Sequence, residues 1–167
     1  MFIENTEILY KENFLTDEEL AILDETINSH QEVIDAMPTN GGYQTLPVEL
    51  VSFIKKISYR VFQLIADEYG ADSIQKIYPR DEIQFLKENS GMGAHDDAEG
   101  QNVSHGAVIY LTDTADYDGG ELFYPKLDLT IKPERGSIAI HPRTEPYTHG
   151  VNVVTRGTRY VLVMFAS

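Results

Sequence analysis

The stretch Thr158-Arg159-Tyr160-Val161-Leu162-Val163-Met164-Phe165-Ala166 decides the fold, because it is long, strand-forming and apolar on both alternating faces. Residues i and i+2 of a strand share a face, so Arg159, Val161, Val163 and Phe165 point one way and Tyr160, Leu162 and Met164 the other. Ala107–Leu111 reads alike. A strand apolar on both sides is covered on both sides, so one face lines an interior and the other packs beneath helices.

Working outward, the chain from Ile83 onward breaks into short strand-like runs punctuated by turn residues. These are Ile83–Lys87, Ala107–Thr112, Glu121–Tyr124, Leu129–Lys132, Ser137–His141, His149–Val154 and Thr158–Ala166. Ser90-Gly91-Met92-Gly93 and Asp116-Tyr117-Asp118-Gly119-Gly120 read as turns. The first third has a helical period instead. Thr16 with Glu19 three residues later makes a capping-box signature, and Leu20, Leu23 and Ile27 follow at helical spacing, which predicts a helix from about Asp17 to Ser29. Pro47 suits the opening of a second helix, in which Leu50, Phe53, Ile54, Ile57, Val61, Leu64 and Ile65 form one apolar stripe and Gly70 ends it. The class expected is α+β: an antiparallel double-sheet jelly roll backed by N-terminal helices. No internal boundary is visible, so 1–167 reads as one domain, with helical support over about 1–80 and a jelly-roll core over about 81–167.

A chain of 167 residues buries about 70% of the surface its unfolded form exposes, enough for a core without staples. Thirteen Lys and Arg against 27 Asp and Glu give a net charge of −14, which repels phosphate backbones and anionic membranes. Nucleic acid and membrane are therefore not expected as partners. With no Cys, disulfides, thiolate metal sites and thiol nucleophiles are excluded. No secretory leader and no apolar run of about 18 residues is visible, so the cytoplasm is the expected location.

Chemistry concentrates in His95-x-Asp97, His149 and Arg159. Two imidazoles and a carboxylate on one face of a metal leave other coordination positions free. His30-x-Glu32 has the same spacing but closes a predicted helix, where i and i+2 diverge; His95 and Asp97 follow a turn into a sheet edge, where both can converge. His149 opens a later strand and can complete the set, although a hydrogen-bonded histidine at a strand start reads equally well. Arg159 shares a face with Val161, Val163 and Phe165, and a buried guanidinium needs an anion: a ligand carboxylate held bidentately, or an acidic residue elsewhere in the fold. His141, close to His149 but separated from it by Pro142 and a turn, reads as strand packing or as support for a ligand. His105 reads as a surface histidine, and Asp113, Asp116 and Asp118 as a turn that hydrogen-bonds its own backbone.

The segment from His95 to Phe165 resembles the iron(II)- and 2-oxoglutarate-dependent dioxygenases, in their prolyl 4-hydroxylase-like branch. The likeness rests on the four site positions and on Ile109-Tyr110-Leu111-Thr112, Gly119-Gly120-Glu121-Leu122, Lys132-Pro133-Glu134-Arg135-Gly136-Ser137, His149-Gly150-Val151 and Gly157-Thr158-Arg159-Tyr160. Asn13-Phe14-Leu15-Thr16 is similar to the family's entry into its first helix. The resemblance implies a double-stranded β-helix, iron(II) held by His95, Asp97 and His149, and 2-oxoglutarate bound with Arg159 on its far carboxylate and Tyr110 and Leu122 beside it. It implies oxidative decarboxylation with dioxygen coupled to hydroxylation, with ascorbate as reductant. The substrate implied is an amino acid side chain, peptidyl proline first, a free amino acid or small molecule otherwise. Glu88 stands where the family often has Tyr, and Phe165 where many members have Trp.

Two other functions compete. Nucleic-acid demethylation within the same chemistry expects a second Arg six residues after the first, where this chain has Phe165. A non-catalytic jelly-roll module expects a decayed site, whereas all four positions stand here. Substrate choice is expected in the loops Gln31–Leu46 and Ala98–Ser104, the first containing Asn40-Gly41-Gly42-Tyr43, which reads as a lid or as a plain connection.

Overall fold

The computed structural model describes residues 1–44, 46–70, 74–97 and 103–167. Both expected helices form. Helix α1 spans Asp17–Ser29; Thr16 Oγ1 accepts from the Glu19 amide at 3.2 Å, and Glu19 Oε2 accepts from the Thr16 amide at 2.9 Å. A short α2, Gln31–Ala36, follows at once after His30 and is not visible as a period in the sequence. Helix α3 spans Val48–Tyr69 and buries Leu50, Ile54, Ile57, Val61, Leu64 and Ile65, each contributing about 1.5–3 kcal/mol.

The strands are β1 (Leu9–Lys11), β2 (Asn40–Tyr43), β3 (Ile77–Pro79), β4 (Ile83–Lys87), β5 (Met92–His95), β6 (His105–Tyr110), β7 (Asp118–Gly119), β8 (Leu122–Tyr124), β9 (Leu129–Ile131), β10 (Ile138–Pro142), β11 (His149–Val151), β12 (Val154–Arg156) and β13 (Thr158–Ala166). The major sheet runs β1-β10-β6-β13-β4-β2, with β3 paired to the far end of β13. A second sheet runs β5-β11-β8-β9, and β12 pairs with β7. The pairings between these strands are antiparallel.

Strand β13 is covered as its sequence demands. Leu162, Met164 and Ala166 join Ala107 and Ile109 of β6 in a core closed by Leu20, Leu23 and Ile27 of α1 and the stripe of α3. On its other face Val161 and Val163 meet Tyr110, Leu122 and Tyr124, the last two from the second sheet. Arg159 lies on this inner face and is 4% exposed.

Three details differ from the sequence reading. The stretch Gln31–Leu46 is no simple loop, since α2 and β2 occupy much of it and Asn40–Tyr43 pairs with Ile83–Leu86. The turn placed at Ser90–Gly93 lies earlier, with Asn89 in the left-handed region at φ 67°, and Met92 already belongs to β5. The run His149–Val154 divides into β11 and β12, which pair with different strands. Of the loop Ala98–Ser104, residues 98–102 lie outside the described residues. Among the described residues no helix is long and apolar enough to cross a membrane.

Candidate metal centre and anion pocket

Register brings the metal candidates together. His149, first residue of β11, lies directly opposite His95, last residue of β5, so their side chains emerge side by side with ring centroids 4.8 Å apart. Asp97, two residues beyond His95, brings its Oδ1 to 3.6 Å from the Nε2 atoms of both histidines. One ligand atom from each of the three lies within 4.8 Å of the others, a spacing that suits a single ion. Each histidine turns Nδ1 to the carbonyl two residues earlier in the chain, His95 to Gly93 at 3.0 Å and His149 to Tyr147 at 3.2 Å. A carbonyl only accepts, so Nδ1 carries the proton and the Nε2 lone pair faces the centre. His30, by contrast, caps α1 with Nδ1 on the Thr26 carbonyl and takes no part.

The electrostatics follow from burial and proximity. Burial works to raise the Asp97 pKa, but the hydrogen bond with His141 and the imidazoles around it outweigh burial and hold the carboxyl well below its usual range. His149 is pushed down to about 3, first by burial and then by the neighbouring His141. The Asp97 carboxylate beside His95 raises its pKa. An ionised carboxylate and a neutral imidazole are the states that a divalent cation binds.

Behind the triad stands a histidine in one of the two roles its sequence position suggests, support for a ligand. His141 of β10 is 1% exposed; its Nε2 lies 3.0 Å from Asp97 Oδ2 and its Nδ1 2.9 Å from the hydroxyl of Tyr124. Its ladder partner is Gly106, where a methyl group would overlap the Asp97 carboxylate and lie 2.8 Å from His141 Nε2. His105, expected at the surface, is buried: its ring packs against Tyr69 at 4.4 Å and Nδ1 meets the Ser104 hydroxyl. Burial lowers its pKa to about 4.

On the inner face of the major sheet is a different kind of cluster. Arg159, Tyr110, Tyr117 and Leu122 are all nearly inaccessible, and the Arg159 guanidinium carbon stands 5.1 Å from the centre of the Tyr110 ring. Arg159 Nε and the Tyr110 hydroxyl both lack a hydrogen-bond partner among the described residues. Each such buried donor costs about 1–3 kcal/mol while unpaired, and a buried cation without an anion costs more. Burial pushes the Tyr110 hydroxyl up to about 12 against the opposing pull of Arg159, so at neutral pH it is a donor. Gly120, at φ 67°, passes over this cluster so closely that a methyl group would meet Arg159 Cδ at 3.2 Å and Tyr117 at 3.0 Å. A cation and a protonated hydroxyl free to donate, walled by apolar groups, fit a carboxylate. Tyr117 was missed because its stretch reads as a turn. Glu88, by contrast, is exposed on the turn after β4.

Above the triad opens a cleft of about 890 Å³ lined by Tyr78, Pro79 and Arg80 on one side, Phe165, and Ala94 to Asp97. Arg80 lies 5.9 Å over the Phe165 ring and 3.4 Å from Glu82. In the acidic turn Asp113 Oδ1 accepts from the Ala115 amide as expected, whereas Asp118 pairs with the Arg156 side chain rather than with its own backbone.

Comparison with known proteins agrees with this architecture. Residues 82–167 match the model of the 2OG-Fe(II) oxygenase superfamily. A PKHD-type hydroxylase of Prochlorococcus marinus strain MIT 9515 is 31% identical, over 90% of this chain and 76% of the relative. A viral collagen prolyl hydroxylase of Paramecium bursaria Chlorella virus-1, solved with 2OG, superposes with a TM-score of 0.76 at 18% identity, covering 97% of this chain and 96% of that one. A prolyl-4-hydroxylase of Pseudomonas putida superposes with a TM-score of 0.68 at 13% identity, over 97% and 92%. These two likenesses establish the fold, a double-stranded β-helix.

Proposed function

The chain belongs to the 2OG-Fe(II) oxygenase superfamily, and from that premise we propose that it hydroxylates an amino acid side chain, peptidyl proline being the first substrate to test. As a member it is a dioxygenase that depends on iron(II) and 2-oxoglutarate. His95, Asp97 and His149 would hold the iron, and Arg159 with Tyr110 would hold the far carboxylate of 2-oxoglutarate, with Leu122 against its carbon chain. The observation that carries this assignment is the pair of buried donors without a partner among the described residues, Arg159 Nε and the Tyr110 hydroxyl; Tyr110 shares its core cluster with Tyr124, whose ring lies 5.8 Å from that of His149. Among the described residues no acidic side chain pairs with Arg159, which supports the ligand reading of its charge.

When bound, iron(II) with 2-oxoglutarate activates dioxygen for insertion into an unactivated C–H bond. The chain's own residues order the participants. Arg159 and Tyr110 anchor one end of the co-substrate and set how far its other end reaches. The Nδ1 hydrogen bonds of His95 and His149 keep both imidazoles in the ligating tautomer before metal arrives. Val161, Val163, Leu122 and Tyr124 keep water from the interior. The cleft of Tyr78, Arg80 and Phe165 offers an aromatic wall and one cation to a substrate approaching from outside.

The names of the relatives support the substrate reading: the viral and Pseudomonas proteins are prolyl hydroxylases. Incubation with iron(II), ascorbate, 2-oxoglutarate and proline-containing peptides should give succinate and a peptide heavier by one oxygen atom. Succinate only with free amino acids would move the substrate class. No succinate with any of them, from protein that binds iron(II), would overturn the proposal.

A further inference from the structure

His141 has both ring nitrogens engaged inside the protein, and its place decides what Asp97 can do. Resting on the assignment of Asp97 as a metal ligand, we propose that Tyr124 and His141 form a positioning relay that reserves one oxygen of Asp97 for the metal and holds the other away. The two carboxylate oxygens have different surroundings: Oδ1 faces His95 and His149 at 3.6 Å, whereas Oδ2 faces His141 Nε2 at 3.0 Å. An ionised carboxylate only accepts, so His141 donates from Nε2 and its Nδ1 accepts from the Tyr124 hydroxyl at 2.9 Å. Tyr124 is fully buried and His141 nearly so, which leaves the hydroxyl and the ring no solvent alternative.

The arrangement has a clear chemical use. A carboxylate free to turn can bind a cation through both oxygens and take a second coordination position. A donor fixed on Oδ2 opposes that turn and leaves the position open. Gly106 makes the approach possible, since any side chain there would stand between β6 and the Asp97–His141 pair. His141 is not a fourth ligand, because neither nitrogen has a lone pair directed at the centre. The three residues come from separate places in the chain: Tyr124 from β8, His141 from β10, and Asp97 from just beyond β5.

The test is anaerobic titration of the purified protein with iron(II), alongside Mn(II) binding followed by electron paramagnetic resonance, with the melting point of the metal-free protein measured for every variant. His141→Phe should raise the iron(II) Kd by about 10- to 100-fold and alter the Mn(II) spectrum, and it should lower the melting point of the metal-free protein, since the Tyr124 hydroxyl and Asp97 Oδ2 lose their partner. His141→Gln, whose amide can donate to Oδ2, should recover most of the affinity, a rescue that a packing role does not predict. Tyr124→Phe should weaken binding several-fold in the wild-type background and have no effect on top of His141→Phe. Equal iron(II) affinity in wild type and His141→Phe would overturn the relay. Should His141→Phe fail to fold, Tyr124→Phe decides, since it removes one oxygen and no bulk; an unchanged Kd there overturns the relay too. Asp97→Ala separates the underlying assignment: if it binds iron(II) as tightly as wild type, Asp97 is no ligand and the relay falls with it. If Asp97→Ala abolishes binding while His141→Phe does nothing, only the relay is lost.

Discussion

The triad and the Arg159 pocket are both polar clusters within one jelly roll, the first partly open to a cleft and the second closed, yet one is internally satisfied and the other is not. Around the triad, His95 and His149 each have a carbonyl on Nδ1, and Asp97 has His141 on Oδ2. In the pocket, Arg159 Nε and the Tyr110 hydroxyl have no hydrogen-bond partner among the described residues. The difference tracks the ligand. A metal ion needs its ligands aimed beforehand, and protein hydrogen bonds do the aiming. A carboxylate brings its own acceptors, so donors held ready for it must stay unpaired until it binds, at a cost in stability.

This contrast gives opposite expectations for deletion at the two sites. The largest effect is at the triad: Asp97→Ala should weaken iron(II) by more than the roughly 100-fold that loss of an outer partner costs. It should also strand His141 Nε2 without its acceptor, so the melting point of the metal-free protein should drop. Next comes Arg159→Met. Truncating one member of a buried charge pair costs about 2–5 kcal/mol, so 2-oxoglutarate affinity should fall by about 30- to several thousand-fold. Because the cation has no anion among the described residues, the metal-free, co-substrate-free variant should melt at or above the wild-type temperature. Calorimetry with and without 2-oxoglutarate checks both halves; a lower melting point without ligand would mean that Arg159 has a protein partner after all.

Gly106→Ala should have a smaller effect than either. Its methyl group would overlap the Asp97 carboxylate and crowd His141 Nε2. Iron(II) affinity should fall by about 10- to 100-fold, as for loss of an outer partner, while 2-oxoglutarate affinity measured with iron at saturation changes little. Equal losses in both would mean that the two clusters are mechanically coupled and the contrast is too sharp.

How far the sequence foretold all this depends on the range over which each signal acts. Helices α1 and α3 were legible because a capping box and a 3.6-residue stripe are local, and β13 because nine residues suffice to reveal both faces. Strands β1, β2 and β3 were not, since each has three or four residues and exists only by pairing with Ile138–Ile140, Ile83–Leu86 or Met164–Ala166. Asn40-Gly41-Gly42-Tyr43 has turn chemistry and still forms an edge strand. At the site, His95, Asp97, His149 and Arg159 were readable from spacing and from alternation along β13. The hydrogen bond of His141 to Asp97 spans 44 residues, and Tyr124 carries no spacing signal, so their alliance was visible only in three dimensions.

The smallest effect is also the most discriminating. Tyr110→Phe removes one unpartnered oxygen from a site that is 1% exposed and leaves the ring under Arg159. Without ligand, the variant loses an unsatisfied buried hydroxyl and gains nothing unfavourable, so its stability should hold or rise by up to about 1 kcal/mol. With 2-oxoglutarate, it lacks one neutral donor worth about 0.5–1.5 kcal/mol, so affinity should fall by about 2- to 13-fold. The two changes have opposite signs, and a pocket kept unsatisfied for its ligand requires them to. Were the tyrosine hydroxyl a structural hydrogen-bonding group, ligand-free stability would fall instead and 2-oxoglutarate affinity would stay where it is.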